Sequence, residues 1–155
     1  MLKRFFLAAF VVGALDIGEV MIFAGIRNGT SPMRILQSVA TGVLGRDSYQ
    51  GGWQTALLGL VLHFFIASVV VAVYFLASRK IATLRESPVI MGAIYGLLVY
   101  LFMNFVVLPL SATGGPRFTL VGVLNQLFCH IVLIGIPTAL LAKSAMVAEP
   151  ARTTP

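Results

Sequence analysis

Residues 54–78 read QTALLGLVLHFFIASVVVAVYFLAS, a stretch without a single Asp, Glu, Lys or Arg and with one histidine, His63. About 20 mostly apolar residues in a helix cross the hydrocarbon of a bilayer. In that medium every backbone N–H and C=O must be satisfied within the segment, so a lone apolar run of this length has to be helical. Arg79 and Lys80 close it. Working outward, the same reading applies to Phe5–Ile26, Pro88–Leu110 and Phe118–Ala142. The expectation is an all-α integral membrane protein, a four-transmembrane-helix bundle forming a single domain over residues 1–148.

Composition agrees. The 155-residue chain is 59% hydrophobic and 10% charged, and its mean hydropathy is +0.98. A soluble domain carries about 25% charged residues to coat its surface. The charge here is enough only for the two rims of a bundle whose waist lies in lipid. The net charge of +6 would raise nucleic acid as a partner in a soluble protein. In this chain the basic residues stand at the ends of apolar runs, where they meet phospholipid headgroups. Membrane lipid is therefore the expected partner, not nucleic acid. A homo-oligomer or a larger membrane complex is a further expectation, because the chain is short for a transporter built from two repeats. The single cysteine, Cys129, forbids an intramolecular disulfide. It reads as a packing residue, with metal ligation beside His130 as the alternative.

Basic residues also orient the bundle. Lys3, Arg4, Arg79, Lys80, Arg85, Lys143 and Arg152 fall on one side, and Arg27, Arg34, Arg46 and Arg117 on the other. The richer side is expected to be cytoplasmic, with both termini there. A cleaved leader competes for the first run, since Met1–Arg4 is basic and Val12 and Ala14 suit a small-residue cleavage rule. The run continues through Met21-Ile22-Phe23-Ala24, too long for a leader core, which favours a retained helix. Ser87-Pro88 reads as an N-cap with proline at the first helical position. Gly114-Gly115-Pro116 reads as a tight turn.

Between the first two runs lies a segment too short to span. Ser31-Pro32 looks like a helix start; Met33, Leu36, Ala40 and Val43 recur at helical spacing, with Arg34, Ser38 and Thr41 on another face. A short amphipathic helix over about 31–46 is expected at the outer interface or dipping into it. Tyr49 and Trp53 suit the aromatic belt. Arg27 and Arg34 bracket the helix start as candidate headgroup or anion contacts, with unspecific snorkelling as the plainer reading. The tail 149–155 is expected to be disordered.

Function should lie where polar groups interrupt the apolar runs: Asp16, Glu19, His63, Asn104, Asn125, Gln126 and His130. An ionisable group at membrane depth is costly and normally faces the bundle. Small residues four apart mark the packed side of a membrane helix. Asp16 shares a face with Ala9 and Gly13, His63 with Gly59 and Ala67, Asn104 with Gly92, Gly96 and Tyr100, and Gln126 and His130 with Gly122. Counted at roughly 1.5 Å per residue, all seven lie at the midplane or outward of it. One polar site opening outward is the expectation. Asp16, Glu19, His63 and His130 would suit a divalent metal such as Zn or Fe. The same groups could relay protons, as imidazole titrates near neutrality. His63 and His130 could be axial ligands to a haem. Asn104, Asn125 and Gln126 would support any of these. A bundle held together by the same polar groups, in a structural or accessory membrane subunit, is the alternative. No HExxH, CxxC or nucleophile–base spacing marks an enzyme. Pro137 should bend the last helix near His130 by leaving the Leu133 carbonyl without its donor, and Pro109 should end the third.

Three stretches carry a resemblance: Gly59 to Ala67 around His63, Met103-Asn104-Phe105-Val106-Val107-Leu108-Pro109-Leu110-Ser111 with the following Gly-Gly-Pro, and Leu124-Asn125-Gln126-Leu127-Phe128-Cys129-His130. Together they resemble the YagU-like bacterial inner-membrane proteins over about the last two-thirds of the chain. The resemblance implies a multi-pass protein of the bacterial inner membrane and no particular activity. Asp16, Glu19 and the Ser31-Pro32-Met33-Arg34 segment lie outside it.

Overall fold

The computed structural model describes residues 2–116 and 118–147. Arg117, Arg152 and the tail 149–155 lie outside the described residues. Four helices are long and apolar enough to cross a membrane: α1 (Leu2–Asn28), α3 (Gly52–Lys80), α4 (Pro88–Leu110) and α5 (Leu120–Met146). The short α2 (Pro32–Leu44) precedes α3 and is followed by a 3-10 turn, Gly45–Gln50. No strand occurs among the described residues. The fold is the expected all-α four-helix bundle.

Local chemistry sets the boundaries. Ser31 caps α2, its hydroxyl accepting from the Arg34 amide at 3.3 Å with Pro32 in the first turn. Gly45 ends α2 at φ 62° and Gly52 opens α3 at φ 57°, conformations that cost glycine little. Pro88 starts α4 as expected, but the Ser87 side chain makes no capping hydrogen bond. The last helix begins slightly later than its apolar run, because Thr119 is the cap, accepting from Gly122 N at 3.2 Å.

α1 packs on α3 and α5, and α4 packs along α5, whereas the backbones of α3 and α4 stay apart and meet through side chains. Backbones meet where side chains are absent. A Cβ on Gly59 would overlap the Leu36 carbonyl of α2, and one on Gly96 would overlap the His130 carbonyl of α5. At Gly92 it would stand 2.8 Å from the Gly135 carbonyl oxygen. This is the close approach that small residues allow in lipid. Ala8, Val12, Val71, Tyr74, Phe75, Ile134, Ala139, Ala142 and Ala145 form one packed core. It fills the half of the bundle nearer the N-terminus and the Arg79–Pro88 connection. Outward, Phe6, Phe10, Ile22, Val61, Phe65, Leu98 and Phe105 are exposed. A continuous apolar surface of this kind is a lipid-facing belt.

The short helix expected over about 31–46 is α2. Ile35, Gln37, Ala40 and Thr41 are buried, while Met33 and Val43 are exposed. The reason is that α2 lies across α3, with the side chain of Gln37 donating to the Gly52 carbonyl at 3.0 Å. Ile35, Gln37, Ala40 and Thr41 pack, while Met33 and Val43 turn away from the protein.

α4 and α5 each contain a π-helical turn, Met103–Val107 and Cys129–Gly135. Each ends two residues before a proline, Pro109 and Pro137. Proline removes a backbone donor and crowds the preceding turn, and a widened turn is one way a helix absorbs both effects. Pro109 therefore sits within the end of α4 rather than beyond it.

Candidate functional site: a polar cavity beneath α2

Where α3 and α4 separate, a cavity of about 370 Å³ opens in the bundle. Ser38, Gly42, Ser111 and Thr113 line its α2 end, and Val12, Val70 and Ile134 its deep end. Below, the Tyr95 hydroxyl donates to the Val70 carbonyl at 2.7 Å and its ring packs on Tyr74 with centroids 5.0 Å apart. The packed core begins at this floor. Five of the polar residues read from the sequence line the cavity: Asp16, His63, Asn104, Gln126 and His130.

Asp16 and His63 face each other across the α1–α3 seam, Oδ2 to Nδ1 at 3.9 Å, with side-chain exposures of 23% and 10%. His63 Nε2 is 2.8 Å from the Gly13 carbonyl oxygen. A carbonyl only accepts, so Nε2 carries a proton and Nδ1 is the atom turned to the carboxylate. At 3.9 Å a direct hydrogen bond is not formed. A modest carboxylate rotation or one bridging water would connect the pair. The other Asp16 oxygen, Oδ1, accepts from the Cys129 thiol at 2.9 Å. Asp16 is thus held between α3 and α5.

On the opposite wall, Asn104 Nδ2 donates to the Tyr100 carbonyl at 3.0 Å and to Gln126 Oε1 at 3.1 Å. His130 Nδ1 donates to the Gln126 carbonyl at 2.8 Å, and its ring meets Tyr100 edge to face. Each π turn therefore carries a polar side chain folded back on the carbonyl four residues earlier, with its remaining polar atom directed elsewhere.

Glu19 and Asn125 are not brought to this cavity. Asn125 Nδ2 donates to Glu19 Oε2 at 3.3 Å, and Glu19 lies in a separate groove with Gly18, Ile22, Phe23, Arg27 and Leu133. The four candidate metal ligands are consequently divided. Among the described residues no three His, Cys, Asp or Glu side chains are arranged to hold a metal ion. For a haem, His63 Nε2 and His130 Nδ1 are both engaged by backbone carbonyls. Of the outer arginines, Arg34 lies over the Tyr49 ring, 4.2 Å from its centroid, and Arg27 over Phe23 at 5.9 Å.

The Cys129–Asp16 contact and the two π turns escaped the sequence reading. A lone cysteine carries no partner signal, but the two prolines mark where both helices are perturbed. No protein-family model, curated protein or solved structure matches this sequence.

Proposed function

We propose that this multi-pass membrane protein exchanges protons between the medium at its α2 end and the Asp16–His63 pair. One observation carries the reading. His63 commits its Nε2 proton to Gly13, which leaves Nδ1 directed at the Asp16 carboxylate on the wall of a cavity. A proton arriving there has two adjacent basic atoms to choose between, and imidazole is the side chain suited to such traffic near neutral pH. Proton exchange fits the geometry better than metal binding, because Glu19 lies in a separate groove and no three His, Cys, Asp or Glu side chains among the described residues are arranged to hold an ion. The basic residues near the termini and the Arg79–Pro88 connection favour a cytoplasmic location for that end. The likeness to YagU-like proteins supports the bacterial inner membrane, with the cavity opening to its outer side.

A second reading has its own support. Cys129 to Asp16, Asn125 to Glu19 and Asn104 to Gln126 all join different helices, as polar glue in a structural or accessory subunit would. Nitrogen-15 NMR of the His63 ring separates the two. Proton exchange predicts that the ring signals of the purified full chain follow bulk pH over about pH 5 to 8. That response should change in Asp16→Asn. Ring signals that stay flat across the range would favour the structural reading.

A further inference from the structure

The polar atoms left free on the cavity wall are almost all acceptors. Asn104 lines the cavity but is only 2% exposed, and its Oδ1, closed to solvent, has no hydrogen-bond partner, so a ligand donor reaches it only by turning the side chain outward. The amide nitrogen and oxygen are told apart because Nδ2 must face the Tyr100 carbonyl. His130 Nδ1 gives its proton to the Gln126 carbonyl, so the neutral ring presents a lone pair at Nε2. The Ser38 hydroxyl donates to Ile35 O at 2.6 Å and keeps only lone pairs for the cavity, whereas Ser111 and Thr113 bond to each other at 2.9 Å and accept from the Thr113 and Gly115 amides. Asp16 adds a carboxylate. Against these, the Gln126 amide is the one side-chain donor of the wall left unspent among the described residues. The rest of the wall is apolar, with Val12, Ile17, Val39, Ile66, Val99 and Met103. The volume of about 370 Å³ falls within the range of small-ligand sites, about 300–1,000 Å³.

We infer that the cavity binds a small organic cation whose N–H groups meet Asn104 Oδ1, His130 Nε2 and Asp16, and whose apolar body fills the space between α3 and α4. An acceptor-lined, carboxylate-bearing wall favours a donor-rich cation, and the buried acceptor of Asn104 gains its missing partner. The inference uses the same cavity as the proton reading and goes beyond it, since it requires no titration of the Asp16–His63 pair.

The test uses the full chain in phosphatidylcholine nanodiscs, with the thermal unfolding midpoint as readout. n-Butylammonium should raise the midpoint saturably. Tetramethylammonium, which has the charge without N–H groups, and n-butanol, which has the apolar body without the charge, should not. Asn104→Leu should weaken n-butylammonium binding by about tenfold or more. His130→Phe keeps the ring against Tyr100 and removes the lone pair, and it should weaken binding similarly if Asn104→Leu fails to fold. Absence of saturable stabilisation by n-butylammonium, an equal effect of the two controls, or full binding in a folded variant would overturn the site. Should that happen while His63 still follows bulk pH, only the ligand is lost and proton exchange stands.

Discussion

At the scale of single residues, the Asp16–His63 pair was legible in the sequence because both lie on small-residue stripes. Gly13 and Ala9 on α1, and Gly59 and Ala67 on α3, point the polar side chain of each helix at its neighbour. Glu19 was not legible. Three residues beyond Asp16, it is rotated by about 60° on a helix of 3.6 residues per turn. The sequence does not say on which side of the seam that rotation ends, and it ends in the outer groove against Asn125. The pair should behave as a unit. His63→Leu leaves Asp16 without its imidazole and should lower stability by about 1–3 kcal/mol, less than a sealed ion pair would lose, because Asp16 retains 23% exposure. Asp16→Asn combined with His63→Leu should recover part of that loss. Denaturation of the four members of this double-mutant cycle in detergent checks it, and strictly additive effects would deny the coupling.

At the scale of elements, the four spans and their connections followed from apolar length and from prolines and glycines at their ends. The π turns did not, since a widened turn has no composition of its own. The short helix over α2 was legible from Ser31-Pro32 and its helical spacing, but which of its faces packs on α3 was not, because a helix at the edge of a membrane bundle can turn apolar side chains away from the protein. Two predictions belong here. Gly96→Ala sets a Cβ into the His130 carbonyl across the α4–α5 contact and should destabilise the bundle by about 1–3 kcal/mol or more. Ala93→Gly, on the same helix, should cost no more than about 1 kcal/mol. Comparable unfolding midpoints for the two variants would show that the α4–α5 contact is looser than described. Pro137→Ala restores a backbone donor beneath the Cys129–Gly135 turn. It should shift the amide and ring NMR signals of His130 more than those of His63, and an unchanged His130 would mean that the proline does not shape the turn.

At the scale of the whole molecule, the two halves of the bundle do different work. The half near the termini is packed alanine, valine and aromatic side chains, with the Arg4 guanidinium donating to the Ser144 carbonyl to tie the two ends of the chain together. The half beneath α2 keeps α3 and α4 apart around polar groups. The division was visible in the sequence as a polar outer half and an apolar inner half. The cavity itself was not visible, because it depends on which pair of helix backbones stays apart. Proton exchange through the cavity requires that water reach the Asp16–His63 region from the α2 end alone. Cysteine accessibility tests this most directly, using Cys129→Ser as background so that a donor to Asp16 is kept. Ser111→Cys at the rim, Met103→Cys deeper in the cavity and Ala139→Cys in the packed core are exposed to a charged, membrane-impermeant thiol reagent from each side of sealed vesicles. The first two should be modified from the α2 side and none from the other, with Ala139→Cys unreactive throughout. An unreactive Met103→Cys, or one modified equally from both sides, would contradict it.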